Sequence, residues 1–194
     1  MAVDRFGRQD RLTHSALVTL QVLQLNVKGR QLTVAELFAA VKLSPRGPIT
    51  WGTDISESDA GVYLVARVPD ANTESTSCPL PLIDPLPLGV GFDLEYELQR
   101  WLPNESIVYI GKADRPIRDR LREFRRHRCD DKSPHAGGQV IKLLHCALWV
   151  YWSPALNPYE LEQMMIGYFK NRTGQEPYAN AGGKRNIRRI RQFN

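Results

Sequence analysis

Residues 106–128 read SIVYIGKADRPIRDRLREFRRHR. After Ser106 the run Ile-Val-Tyr-Ile is apolar and mostly β-branched up to a glycine, which is strand composition, and Gly111 is expected to turn the chain. Asp114 and Pro116 then mark a helix start, because proline fits a first helical turn. From there Ile117, Leu121 and Phe124 recur at i, i+4 and i+7. That is the core-facing stripe of a helix expected to run to about residue 128. At about 3.6 residues per turn, Arg120 falls on the edge of the stripe, while Arg118, Arg122, Arg125 and Arg126 point further away. A guanidinium held against a fold can grip a phosphate with two parallel hydrogen bonds. The same position also suits an arginine that merely covers core surface and keeps its head in water.

Working outward, GVYLVARV at 61–68 has the composition of a second strand. Residues 69–89 are rich in Pro, Ser, Asn and Thr and form a long excursion, after which FDLEYELQRWL at 92–102 suits a short helix. Further upstream, TVAELFAAV has helical spacing, with Thr33 as N-cap and Glu36 three residues on, a capping-box pattern. That helix should stop before Ser44-Pro45, since a residue before proline avoids helical geometry. Residues 44–59 are turn-rich, with one short strand expected around Ile49–Trp51, and residues 14–27 suit either strand or helix. Downstream, HAGGQVIKLL is a further helix candidate and CALWVYWS at 146–153 a third strand. Asn157-Pro158 opens a helix to about Arg172, ended by Thr173-Gly174. The order strand, strand, helix, helix, strand, helix describes an α+β sandwich around a small sheet.

The chain of 194 residues is long enough for one domain with a real core, and its 42% hydrophobic and 24% charged residues are ordinary for a soluble globular protein. No apolar run is long enough to span a bilayer. The N-terminus, MAVDRFGRQDRL, lacks the apolar centre of a secretory signal, so a cytoplasmic protein is expected, with no membrane partner. Three cysteines with no CxxC pair fit a reducing compartment. His127, Cys129, His135, His145 and Cys146 have spacings that match no common zinc pattern.

The net charge of +5 is unevenly spread. Residues 184–194 carry Lys184, Arg185, Arg188, Arg189 and Arg191 with no acid, and residues 115–128 carry seven arginines against Asp119 and Glu123. The rest of the chain is net acidic. Basic clusters on an acidic body suggest a footprint for a polyanion, although a solvated helix face and a ragged terminus produce the same pattern. One acid stands out. Glu162 shares a helix face with Met165, Ile166 and Phe169. A carboxylate within an apolar stripe needs a cation, either an arginine in a structural pair or a metal ion, and hard oxygen donors suit Mg²⁺.

Together these residues resemble the GIY-YIG nuclease superfamily, in its bacterial restriction-endonuclease-like branch. GVY at 61–63 stands for GIY, VYIG at 108–111 matches YIG, Arg120 matches the arginine of the first helix, Glu162 the metal-binding glutamate, and Asn180 in PYAN the late asparagine. The resemblance implies a small central sheet, mixed or antiparallel, flanked by helices. It also implies a layout: an N-terminal extension over 1–55 packing on or beside the core, a nuclease domain over 56–183 with an insertion at about 69–105, and a basic tail over 184–194.

The resemblance further implies hydrolysis of DNA phosphodiester bonds with one divalent metal, Mg²⁺ or Mn²⁺. Tyr63 would be the general base or orient the attacking water. Tyr109 would bond the scissile phosphate or share that role, Arg120 would stabilise charge on the phosphate, Glu162 would hold the metal, and Asn180 would fix the site. Lys112 could pull down a tyrosine's pKa by its charge. Where the family often carries His or Tyr four residues after the arginine, this chain has Phe124, and His127 and His135 are the candidates to replace that function. Arg118, Arg122, Arg125, Arg126 and the tail residues Lys184, Arg185, Arg188 and Arg189 would contact nucleic acid, DNA or alternatively RNA. Members that cut both strands suit a homodimer. Two other readings stand beside a restriction-type endonuclease: a catalytically silent nucleic-acid-binding module of the same fold, and a repair or recombination nuclease specific for branched structure.

Overall fold

The computed structural model describes residues 31–83, 94–126 and 140–180. Helix α1 (Val34–Ala40) and strand β1 (Arg46–Thr50) precede strand β2 (Gly61–Ala66). Helix α2 (Leu94–Arg100), strand β3 (Ile107–Ala113) and helix α3 (Ile117–Arg126) follow. Strand β4 (Trp149–Pro154), helix α4 (Pro158–Thr173) and a 3-10 turn (Tyr178–Asn180) complete the described chain. The four strands form one sheet in the order β1-β4-β2-β3, antiparallel at every pairing. The expected α+β architecture, a small sheet flanked by helices, is what the chain adopts.

Helices cover both faces. Tyr63, Val65, Val108 and Val150 pack with Ile117, Leu121 and Phe124 of α3 on one side. On the other, Val62, Leu64, Ile110 and Tyr151 pack with Leu37 and Phe38 of α1 and Met165 and Phe169 of α4. Strand β2 lies between β4 and β3 with all six residues buried, and so reads as an unbroken apolar run without alternation. The stripe on α3 is buried at all three expected positions.

Local chemistry sets several boundaries as read. Thr33 caps α1 and Glu36 reaches back to the cap's N–H, completing the capping box. Pro158 opens α4, and Gly174, at φ +88°, closes it in the left-handed conformation that glycine adopts without steric cost. Two expectations are corrected. The early strand begins at Arg46, not Ile49, and it lies in the main sheet, where Ile49 pairs with Val150. Residues from the stretch read as an extension therefore build part of the core. Gly111 is not a turn: β3 continues through it to Ala113. Half of HAGGQVIKLL, residues 135–139, lies outside the described residues; of the other half, 140–142 are helical.

Candidate active site

Two glycines hold the two tyrosine strands in place, and each has a steric reason. A methyl group on Gly61 would sit 2.2 Å from the Ser153 carbonyl oxygen and 2.9 Å from Ile117 Cδ1, so only a bare Cα lets β2, β4 and α3 meet there. On β3, Gly111 is the register partner of Tyr63. A Cβ on Gly111 would lie 2.6 Å from Tyr109 Cε1, 2.8 Å from Tyr63 Cζ and 2.9 Å from the Tyr63 hydroxyl oxygen. The space a side chain would fill is taken by the two phenols.

These rings form an aromatic cluster under α3. Tyr63 and Tyr109 have centroids 5.9 Å apart. Phe124 lies 6.1 Å from Tyr63, 5.0 Å from Tyr109 and 5.2 Å from Trp51. Phe124 is thus a packing residue that braces both phenols. Tyr63 is fully buried, and its hydroxyl has no partner of full hydrogen-bonding geometry, though Tyr109 and Arg120 lie within electrostatic range. Burial pushes its pKa well above the usual phenol value; Tyr109 adds to that rise, and Arg120 opposes it. Tyr109 is only partly buried by surface area. Its pKa is also raised, chiefly by burial, with Tyr63 and Arg120 pulling it down and Glu162 pushing it up.

Tyr109 thus senses both Arg120, on α3, and Glu162, on α4. The two helices cover opposite faces of the sheet, and each packs against its edge strand, β3. There, a cleft of about 460 Å³ is lined by Lys112, Ala113, Asp114, Arg115, Arg120 and Glu162. Asn180 grips the same strand, accepting a hydrogen bond from Ile110 N (2.8 Å) and donating to Ile110 O (2.6 Å). Its amide completes the edge as a neighbouring strand would.

Arg120 has one-fifth of its side chain exposed and stands 4.0 Å from Glu123, which also pairs with Arg115. Glu162 is half-buried at the mouth of the cleft; the deeply apolar positions of its face are Met165 and Phe169. Burial raises its pKa, and Lys112 offsets part of that rise. It makes no ion pair within 4 Å with any described residue, so the Glu–Arg structural pair is not found among them. Lys112 departs from its expected role. Its register partner Val62 belongs to the α4 face, and its ammonium pairs with Asp114, lies 5.6 Å from the Tyr159 ring and acts on Glu162. It does not appear among the groups that shift either phenol.

The other expected contacts divide. Arg122 pairs with Asp119 and Asp54, Arg125 with Asp54, and Arg118 with Asp119, so these charges are partly matched on the fold, whereas Arg126 is exposed. His127, His135, Lys184, Arg185, Arg188 and Arg189 lie outside the described residues. The sequence reading missed Asp114 and Arg115 as lining residues, although their place between YIG and the arginine helix put them within reach. It also missed Tyr159, whose ring lies beside the Lys112 ammonium and which nothing in spacing sets apart.

No group of three or more His, Cys, Asp or Glu is placed to hold a metal among the described residues. With Asp114 bridged to Lys112, Glu162 is the lining carboxylate left to take a cation. A single carboxylate in an open cleft fits Mg²⁺, which keeps most of its waters and takes further oxygens from a phosphate substrate. No described helix is long and apolar enough to cross a membrane. No family model, curated protein or solved structure matches the chain, so the residues of the cleft carry the functional reading alone.

Proposed function

We propose that this cleft is the active site of a divalent-metal-dependent endonuclease of the GIY-YIG type, hydrolysing DNA phosphodiester bonds. The observation that carries the reading is the shared cleft. Arg120 and Glu162, far apart in sequence and on helices of opposite faces, line one concavity beside Tyr109. A guanidinium and a carboxylate that line one space suit a phosphate and a cation bound between them.

On this reading Lys112 and Arg115 draw the DNA backbone into the cleft. Arg120 presents parallel N–H donors to the non-bridging oxygens and stabilises charge as it grows there. Glu162 would hold Mg²⁺ or Mn²⁺, which when bound neutralises the phosphate and the departing 3′ oxygen. Tyr109 is the phenol that touches substrate and orients the attacking water with its hydroxyl. Tyr63, fully buried, reaches substrate only through Tyr109 and is a positioning residue. This reverses the emphasis of the sequence reading, in which Tyr63 led. Asn180 keeps β3 still.

A second reading, the silent nucleic-acid-binding module, draws support from the raised titration of both phenols. Neither is ionised at neutral pH, and Phe124 supplies no acid or base. Supercoiled plasmid separates the two. Nicking that needs Mg²⁺, stops with chelator and is lost in Glu162→Ala while DNA still shifts on a gel supports the nuclease. Gel shift with no cutting under Mg²⁺ or Mn²⁺ supports the module. A protein that neither shifts nor cuts DNA supports neither.

A further inference from the structure

Tyr159 lies beside Lys112, a residue of the cleft wall, and leaves most of its ring open to solvent. It is the second residue of α4 and is 61% exposed. The Lys112 ammonium lies 5.6 Å from its ring centroid, a cation–π distance, and Lys112 itself lines the cleft. Although Lys112 occupies part of its surroundings, the ring keeps enough free area to receive another flat group. Tyr159 also precedes Glu162 by three residues, which puts both on one helix face, about 4.5 Å apart along the axis.

We infer that Tyr159 is a stacking platform for the nucleobase beside the scissile phosphate, and that the preferred substrate is DNA with an unpaired nucleotide at the cut, in a single strand or flap. A base inside a continuous duplex is stacked on its neighbours and cannot lie on a protein ring, whereas an unpaired base can. Lys112 suits this arrangement: it links the ring to the cleft that it lines, and its charge attracts the phosphate attached to the stacked base. Tyr159 is thus a specificity-determining residue. The inference rests on the phosphodiesterase reading of the cleft, and its test is built to fail separately from that reading.

End-labelled single-stranded, flap and continuous-duplex DNA are compared as substrates for the full chain with Mg²⁺. The wild type should cut single strand and flap at least about fivefold faster than duplex, the range that loss of one base–aromatic stack covers. Tyr159→Ala should bring those rates down to the duplex rate, and Tyr159→Phe, which keeps the ring, should restore the preference. Leu156, fully exposed nearby, is the control for generic apolar contact, and Leu156→Ala should change nothing. Fluorescence of 2-aminopurine at the cut should be quenched by wild type and Tyr159→Phe but not by Tyr159→Ala. The inference is overturned if the wild type cuts duplex equally well, or if Tyr159→Ala keeps the preference. It is also overturned if Tyr159→Ala slows all three substrates alike, which would mean the ring acts only by holding Lys112. A wild type that cuts no DNA overturns the phosphodiesterase reading and this inference with it.

Discussion

The side-chain amide of Asn180 is hydrogen-bonded at both ends to the backbone of Ile110, which lies between Tyr109 and Gly111. One side chain thereby satisfies the two main-chain groups that an edge strand would otherwise leave open beside the cleft. Asn180→Ala should cost about 1–3 kcal/mol, the range for partly buried groups left unpaired. Asn180→Asp should cost at least as much, because the donor to the Ile110 carbonyl is replaced by a second acceptor. Urea denaturation of the three proteins checks this. A stability of Asn180→Asp equal to wild type would show that the clasp contributes nothing.

Gly61 and Gly111 differ in what stands in the way of a side chain. At Gly61 the obstacle is a carbonyl oxygen of the central pairing, which cannot move without breaking the sheet. At Gly111 it is two phenol rings, side chains and not main chain. Gly61→Ala should therefore destabilise the fold well beyond the roughly 1–3 kcal/mol typical of overpacking. Gly111→Ala should stay within that range, yet disturb Tyr109 enough to depress any cleavage activity. Chemical denaturation gives the order of stability; finding Gly111→Ala the less stable of the two would contradict it.

Much of this arrangement was legible in the chain. Thr33 and Glu36 announced a helix start, Ile117, Leu121 and Phe124 a buried stripe, and Asn157-Pro158 a second start, because each is a local signal with a local cause. The sheet order was not legible. Nothing within 46–50 states that it will pair with 149–152, since strand pairing is a long-range choice. Gly111 was misread for the same reason: its meaning lies in Tyr63 across the strand pair. Lys112 was aimed at the tyrosines because it is next to them in sequence, but side-chain alternation sends it to the other face.

Glu162 offers a test through pH. Its pKa is raised by burial, so protonation is favoured in the folded state. That stabilising bias is complete below the unfolded carboxyl pKa of about 4 and is lost as pH rises through the higher folded value. At neutral pH the ionised carboxylate is thus a net cost, moderated by solvent because the group is only half-buried. Glu162→Gln should melt slightly higher than wild type at neutral pH, with the difference vanishing in acid. Thermal melts across that range check the sign, and a Glu162→Gln protein that melts lower at neutral pH would contradict it.

Arg120→Lys keeps the charge and loses the planar fork. If Arg120 holds phosphate oxygens in the transition state, kcat for DNA cleavage should fall about a hundredfold, the scale for one such stabilising group. The melting temperature should change little, since lysine still covers the same edge of α3. Single-turnover cleavage checks this, and a rate within threefold of wild type would remove Arg120 from the chemistry.

The most direct measurement is a crystal of the protein grown with Mn²⁺ and a short DNA oligonucleotide, with anomalous scattering recorded at the manganese edge. The expected result is one manganese peak on the Glu162 carboxylate, with a backbone phosphate reaching from it to the Arg120 guanidinium. Manganese bound elsewhere with Glu162 bare, or DNA lying away from the cleft, would contradict the proposal that these two side chains share one phosphate.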